Sequence, residues 1–197
     1  MRAFVLWAAL ALPAAAQAGC PVAGDLSRGI EVVFADEETE RHYAWPDGGT
    51  RVVWTEDGEV STDLVAPSGL PRAYWNGSGA KPPPDASRRF YDDQSARRAP
   101  KPGTTARFAV REVGADGAEE RLTVTVRWAA AAASRDWAGC TYRTLAGTVT
   151  EDWADGAPAW EMHVDHIPAL GITVLRGGGD AGTSIDRVPV MAFAPIL

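Results

Sequence analysis

Apolar and polar residues alternate through much of the chain, and most clearly over residues 121–128. There Leu122, Val124, Val126 and Trp128 fall on one side and Thr123, Thr125 and Arg127 on the other. A period of two predicts a strand with one buried face. A small-residue linker, 129–134, leads through Trp137 and Cys140 to a second β-prone run at 141–153. These two runs are read as central antiparallel strands on which the rest of the sheet builds. Upstream, Ile30, Val32 and Phe34 alternate within 29–35. The runs 42–45 and 50–54 flank Pro46, Asp47, Gly48 and Gly49, and Glu56, Asp57 and Gly58 return the chain as 59–65. Such residues supply the fixed and positive φ angles of hairpin turns, so the pattern predicts an antiparallel meander and not βαβ units. Downstream, 108–113, 160–165, 172–176 and 188–193 continue the series.

Between residues 66 and 105 the alternation dissolves into a Pro/Gly-rich connection, with Pro67, Pro71, Pro82, Pro83, Pro84, Pro100 and Pro102. Prolines exclude a long helix or central strand through most of it. One helix is expected, at 85–98, and Tyr74, Trp75, Phe90 and Tyr91 are expected to anchor the connection as a wrap over a sheet face. The total is about eight to ten strands with at most one short helix. The fold class is all-β, an antiparallel meander forming a barrel, a half-barrel or a sandwich.

The N-terminus adds a compartment. Arg2, the apolar run 4–12 and the Ala16, Gln17, Ala18 cleavage pattern read as a signal peptide at 1–18, leaving 19–197 as a single secreted domain. Cys20 near the cleavage point raises a lipoprotein signal as the competitor, against which Gln17 stands where a small aliphatic residue belongs. The mature chain then holds two cysteines, Cys20 and Cys140, expected to form one disulfide in an oxidising compartment. A formal net charge of −7 argues against nucleic acid as a partner. Arginine far outnumbers lysine and Asn76 is the only asparagine, the bias of a GC-rich bacterial genome, which points to a periplasm. No later segment is long and apolar enough to span a bilayer.

Candidate chemistry is sparse. Gly177, Gly179 and Gly182 match G-x-G-x-x-G, but Thr183, Ile185, Val188 and Pro189 make a poor helix, so a glycine-rich hairpin turn is expected in place of a dinucleotide site. On a strand His163 shares a face with Glu161 and Asp165 while His166 faces oppositely, which separates the imidazoles. No metal site and no cofactor are therefore expected, and these side chains read as solvent-facing. Glu151, Asp152 and Asp155 lack calcium-loop spacing and read as a solvated acidic turn. Gly77, Ser78 and Gly79 lack the strand-turn-helix setting of a nucleophile elbow.

The tryptophans are the richest resource. Most are read as sheet packing, and Trp54, Trp75, Trp128, Trp153 and Trp160 are the candidate ligand-binding residues, an aromatic face completed by the 66–105 connection. The segment 166–174, with its Pro168, Leu170 and Gly171 turn before a late strand, and the early meander of Asp-Gly turns resemble the lipoprotein-carrier half-barrels of the bacterial envelope. Such carriers hold an acyl chain in an apolar concavity under helices, which implies an apolar ligand such as a lipid; no residue role transfers. The expected function is that of a secreted or periplasmic, non-catalytic β-domain binding an apolar ligand or an envelope protein partner. The alternatives are an envelope hydrolase using acidic residues near His163 and a structural envelope component.

Overall fold

The computed structural model describes residues 19–197, so the expected signal peptide lies outside the described residues. The fold is all-β, with thirteen antiparallel strands. They are β1 (Ile30–Phe34), β2 (Thr39–Ala44), β3 (Thr50–Glu56), β4 (Glu59–Val65), β5 (Pro71–Asn76), β6 (Ser87–Tyr91) and β7 (Thr105–Val113), then β8 (Glu119–Trp128), β9 (Ala133–Trp137), β10 (Cys140–Trp153), β11 (Trp160–Ile167), β12 (Ile172–Asp180) and β13 (Val190–Pro195). Twelve run in one hydrogen-bonded path, β12-β11-β10-β8-β7-β6-β5-β4-β3-β2-β1-β13, and β9 pairs only with the first part of β10.

The meander forms as the turn chemistry dictates. At the β3–β4 hairpin Asp57 and Gly58 both take positive φ, 49° and 81°, the backbone of a two-residue turn matched to strand twist. The central pair is also as expected, with Leu122 opposite Trp153, Val126 opposite Val149 and Trp128 opposite Gly147. Gly147 is there because a Cβ would lie 2.5 Å from the Trp128 ring.

Register assigns the side chains to two faces. Phe108, Val110, Leu122, Val124, Val126, Val149 and Val164 make an apolar cluster on one face, here the inner one, sealed by Leu70 from the β4–β5 turn and by Ala96. The two ends of the sheet meet without pairing. Ile172 and Val174 of β12, with Trp137 and Cys140, share a second cluster with Ile30, Val32 and Phe34 of β1 and Phe193 of β13. The C-terminal half of β11 is buried at four successive positions, Val164 to Ile167, so this end of the sheet is covered on both faces. The sheet is therefore rolled until its ends overlap, with no ladder between β12 and β13 but closed by side chains and by a backbone hydrogen bond of 2.8 Å from the Val188 amide to the Arg176 carbonyl. The Cys20 and Cys140 sulfurs are at bonding distance, 2.10 Å, and the Tyr142 hydroxyl donates to the Pro21 carbonyl, so the N-terminal segment is tied to β10.

Several expectations need correction. The helix expected at 85–98 is absent: Ser87–Tyr91 is strand β6, and Gln94–Arg97 is a single 3-10 turn capped by Asp93. The 66–105 connection is not one wrap, because Pro71–Asn76 and Ser87–Tyr91 pair into the sheet. Pro71 is tolerated because it begins its strand beside an irregularity in the β4–β5 register. The linker at 129–134 runs into β9, and Gly177 and Gly179 extend β12 through a bulge opposite His163 and Val164.

Candidate functional site

The alternation that fills the sheet with valine breaks at specific inward positions. β2 turns Glu40 and His42 inward beside Ile30 and Val32, and both are fully buried. His42 Nε2 lies 2.7 Å from Glu40 Oε2, while Glu40 Oε1 accepts a hydrogen bond of 3.0 Å from the Leu175 amide on β12. Burial pushes the Glu40 carboxyl above the usual range, against the opposing pull of His42 and the Leu175 amide. This carboxyl thus joins the two ends of the rolled sheet through a buried polar contact. His42 Nδ1 is buried with no partner among the described residues.

A second inward group spans the sheet. Arg89 of β6 donates to Glu112 of β7 at 2.7 Å and forks onto both oxygens of Glu151 on β10, the longer contact being 3.1 Å. Burial opposes its charge, but the two carboxylates outweigh that and hold the guanidinium firmly protonated. Glu151 is buried, so its expected place in a solvated turn is corrected: it faces inward on β10 because Arg89 neutralises it. Tyr91, on the same face, donates to the Pro71 carbonyl, and burial raises its pKa.

Where the ends overlap, a cleft of about 670 Å³ opens. One wall comes from β1–β5 and its turns, with Glu38, Trp54, Glu56, Asp63 and Tyr74; the other comes from Trp160 and the β12–β13 segment, with Arg176 and Ile185. Trp160 and Tyr74 are 41% and 44% exposed, so their rings are available to a ligand. Trp54 Nε1 donates 2.8 Å to Asp63 Oδ2. Burial, with Glu40 and Glu151 adding to it, pushes Asp63 up to about 6, against the Trp54 hydrogen bond and the Arg89 charge. Glu38 is pushed up to about 7 by burial first and then by the neighbouring carboxyls of Asp36, Glu56 and Asp57. Arg176 is committed elsewhere, to Asp165 at 3.2 Å and to the Val188 carbonyl. The cleft is therefore aromatic on its sides and carboxylic on its floor.

The five candidate tryptophans do not gather. Trp54 and Trp160 line this cleft, and Trp153 and Trp160 flank a neighbouring hollow with Glu120 and Asp155. Trp128 lies in a separate pocket of about 190 Å³ under residues 95–104, with Phe108 and Leu70, so that stretch of the connection does cover an aromatic. Trp75 is buried on the opposite face with Leu64, Ala73 and Ala86. Of the anchors, Tyr74 and Phe90 are exposed, whereas Tyr91 packs on Phe108 edge to face, with centroids 5.9 Å apart.

The acidic run at 36–40, which on sequence reads as a polar turn or loop, supplies Glu38 to the cleft and Glu40 to the buried pair. The signal that distinguishes them is Glu40 and His42 falling in phase with Ile30 and Val32 across the hairpin. Glu161 and His163 do share a face, 3.3 Å apart, with Thr148 and Gly177 as the cross-strand neighbours of His163. Asp165 and His166 are not solvent-facing. Asp165 is fully buried against Arg176 and Arg187, and His166 packs edge-on to Trp128 with Nδ1 3.0 Å from the Thr173 hydroxyl. Burial holds His166 down at about 4. Among the described residues no group of three or more His, Cys, Asp or Glu side chains has metal-binding geometry. No protein-family model, no curated protein and no solved structure matches this chain.

Proposed function

We propose that this chain is a non-catalytic, ligand-binding β-domain of the bacterial envelope, and that its ligand occupies the cleft between the overlapping ends of the sheet. The observation that carries this reading is the cleft itself: about 670 Å³, within the size range of small-molecule sites, with exposed Trp160 and Tyr74 flanking a carboxylic floor. An apolar or aromatic body stacks between the rings, and its hydroxyl or amine groups donate to Asp63 and Glu38. The Cys20–Cys140 disulfide fits an oxidising compartment, and no helix among the described residues is long and apolar enough to cross a membrane.

The hydrolase reading has less support, since Glu161 and His163 lie on the face opposite Met162 and Val164, and their neighbours are threonine and glycine. A structural role draws on the filled inner face, where Leu70 and Ala96 close over the valines.

Native mass spectrometry of the protein purified from its own compartment, followed by extraction and identification of bound molecules, tests the proposal. A co-purified small molecule whose occupancy falls about tenfold in a Trp54→Ala, Trp160→Ala double variant supports it. A protein that carries nothing, or a bound molecule retained equally by the folded variant, contradicts it.

A further inference from the structure

The outer face of β6–β8 carries a different charge from the rest of the molecule. In a chain of formal net charge −7, register places Arg88, Arg107, Arg111, Arg121 and Arg127 together on this face, where Glu119 is the acidic side chain that those strands contribute, Glu112 and Glu120 falling on the other face. Arg111 and Arg121 are direct cross-strand partners, an arrangement of like charges that costs stability in a sheet unless something offsets it. Arg111 has partial compensation from Glu119 at 2.8 Å and lies over the Phe90 ring, 4.4 Å from its centroid. Arg121 is exposed and makes no ion pair among the described residues. The two arginines border a concavity of about 570 Å³, shared with Phe90, Thr123, Asp92 and Asp152. Phe90 is 46% exposed beside them.

We propose that this concavity is a second binding site, distinct from the cleft, for a phosphoryl-bearing polyol such as a sugar phosphate. The phosphoryl group sits between the guanidiniums of Arg111 and Arg121, and the polyol rests on Phe90 with hydroxyls toward Thr123, Asp92 and Asp152. Charge and size both select this class. A phosphomonoester brings about −1.5 to −2 charges at neutral pH, the match for two opposed guanidiniums whose forks suit its oxygens. The volume exceeds what inorganic phosphate fills, and the carboxylates of Asp92 and Asp152 in the lining accept hydroxyl donors. A free sugar phosphate and the phosphorylated headgroup of a lipid share this chemistry.

Isothermal titration of the full chain at low salt with glucose 1-phosphate, inorganic phosphate and glucose tests the site. Flotation with vesicles of phosphatidylcholine and phosphatidic acid separates the lipid source from the soluble one. The expected result is saturable binding of glucose 1-phosphate, about tenfold weaker binding of inorganic phosphate, none of glucose, and about a tenfold loss in Arg121→Gln. Arg107→Gln, on the same face but outside the concavity, changes affinity by less than about twofold. Vesicle capture that disappears in Arg121→Gln assigns the same site to a headgroup. Because Arg121 is exposed, that variant keeps the wild-type far-ultraviolet spectrum. The proposal is overturned if neither glucose 1-phosphate up to about 10 mM nor the vesicles bind, or if binding survives Arg121→Gln unchanged. Equal affinity for inorganic phosphate and glucose 1-phosphate overturns the polyol assignment.

Discussion

Asp63 and Glu38 are acids whose surroundings favour the protonated form, and His166 is a base whose surroundings favour the neutral one; the three respond to pH in opposite senses. Asp63 is pushed up to about 6 and Glu38 to about 7, chiefly by burial, so the folded chain holds protons that the unfolded chain releases above about pH 4. Their stabilising contribution is complete at low pH and is lost as pH rises through 6 to 7. His166 is held down at about 4, so below about pH 6.5 the unfolded chain takes up a proton that the folded chain refuses. Its contribution is complete above that pH and is lost as pH falls toward 4. An Asp63→Asn, Glu38→Gln variant should therefore lose less melting temperature than wild type between about pH 5 and pH 7.5. Thermal melts across that range check this; parallel curves for the two proteins would mean that the carboxyls are not held protonated by the fold. At this scale the sequence was informative about type but not about depth. Glu40 and Glu38 stand two apart in one acidic run, and only the pairing of β2 with β1 decides that Glu40 is sealed at the seam while Glu38 lines the cleft.

Arg89 shows what a strand can be when its pattern is not hydrophobic. β6 is Ser87–Tyr91, with exposed and half-buried positions alternating and two arginines among five residues, which on a sequence reads as a helix turn or a loop. What holds it in the sheet is Arg89 reaching Glu112 next door and Glu151 on β10, two strands further along. Replacing Arg89 by Met leaves the buried Glu151 carboxylate unpaired and should cost about 3 kcal/mol or more in urea unfolding. A double variant, Arg89→Met with Glu151→Leu, removes both charges and should recover most of that loss. A single variant within about 1 kcal/mol of wild type would show that the ion pair does not bind β6 to the sheet. The elements that were legible, β1 to β4, β7, β8 and β10 to β13, are those whose own residues alternate or are bounded by turn residues such as Asp-Gly. Those that were not, β5, β6 and β9, are short and begin at proline, serine or alanine, and their partners rather than their own residues determine them.

For the whole molecule, the meander was readable because each hairpin carries its own turn residues, but the roll was not, because it depends on residues far apart in the chain. Ile30 and Val174 share a cluster across most of the sequence, and the Leu175 amide meets the Glu40 carboxyl over the same span. The candidate site inherits that difficulty: Trp54 and Trp160 become neighbours only when the ends overlap, while Trp75, Trp128 and Trp153, equally prominent in sequence, are carried elsewhere. The central claim is thus that the seam between the two ends is closed and that the Glu40 carboxyl is one of its fastenings. Amide hydrogen exchange at Leu175 tests it directly. The account predicts protection close to that of the core amides of β8 and β10, with exchange at least about tenfold faster in Glu40→Ala while β8 and β10 remain protected. Rapid exchange of Leu175 in the wild type, or protection unchanged in Glu40→Ala, would contradict it.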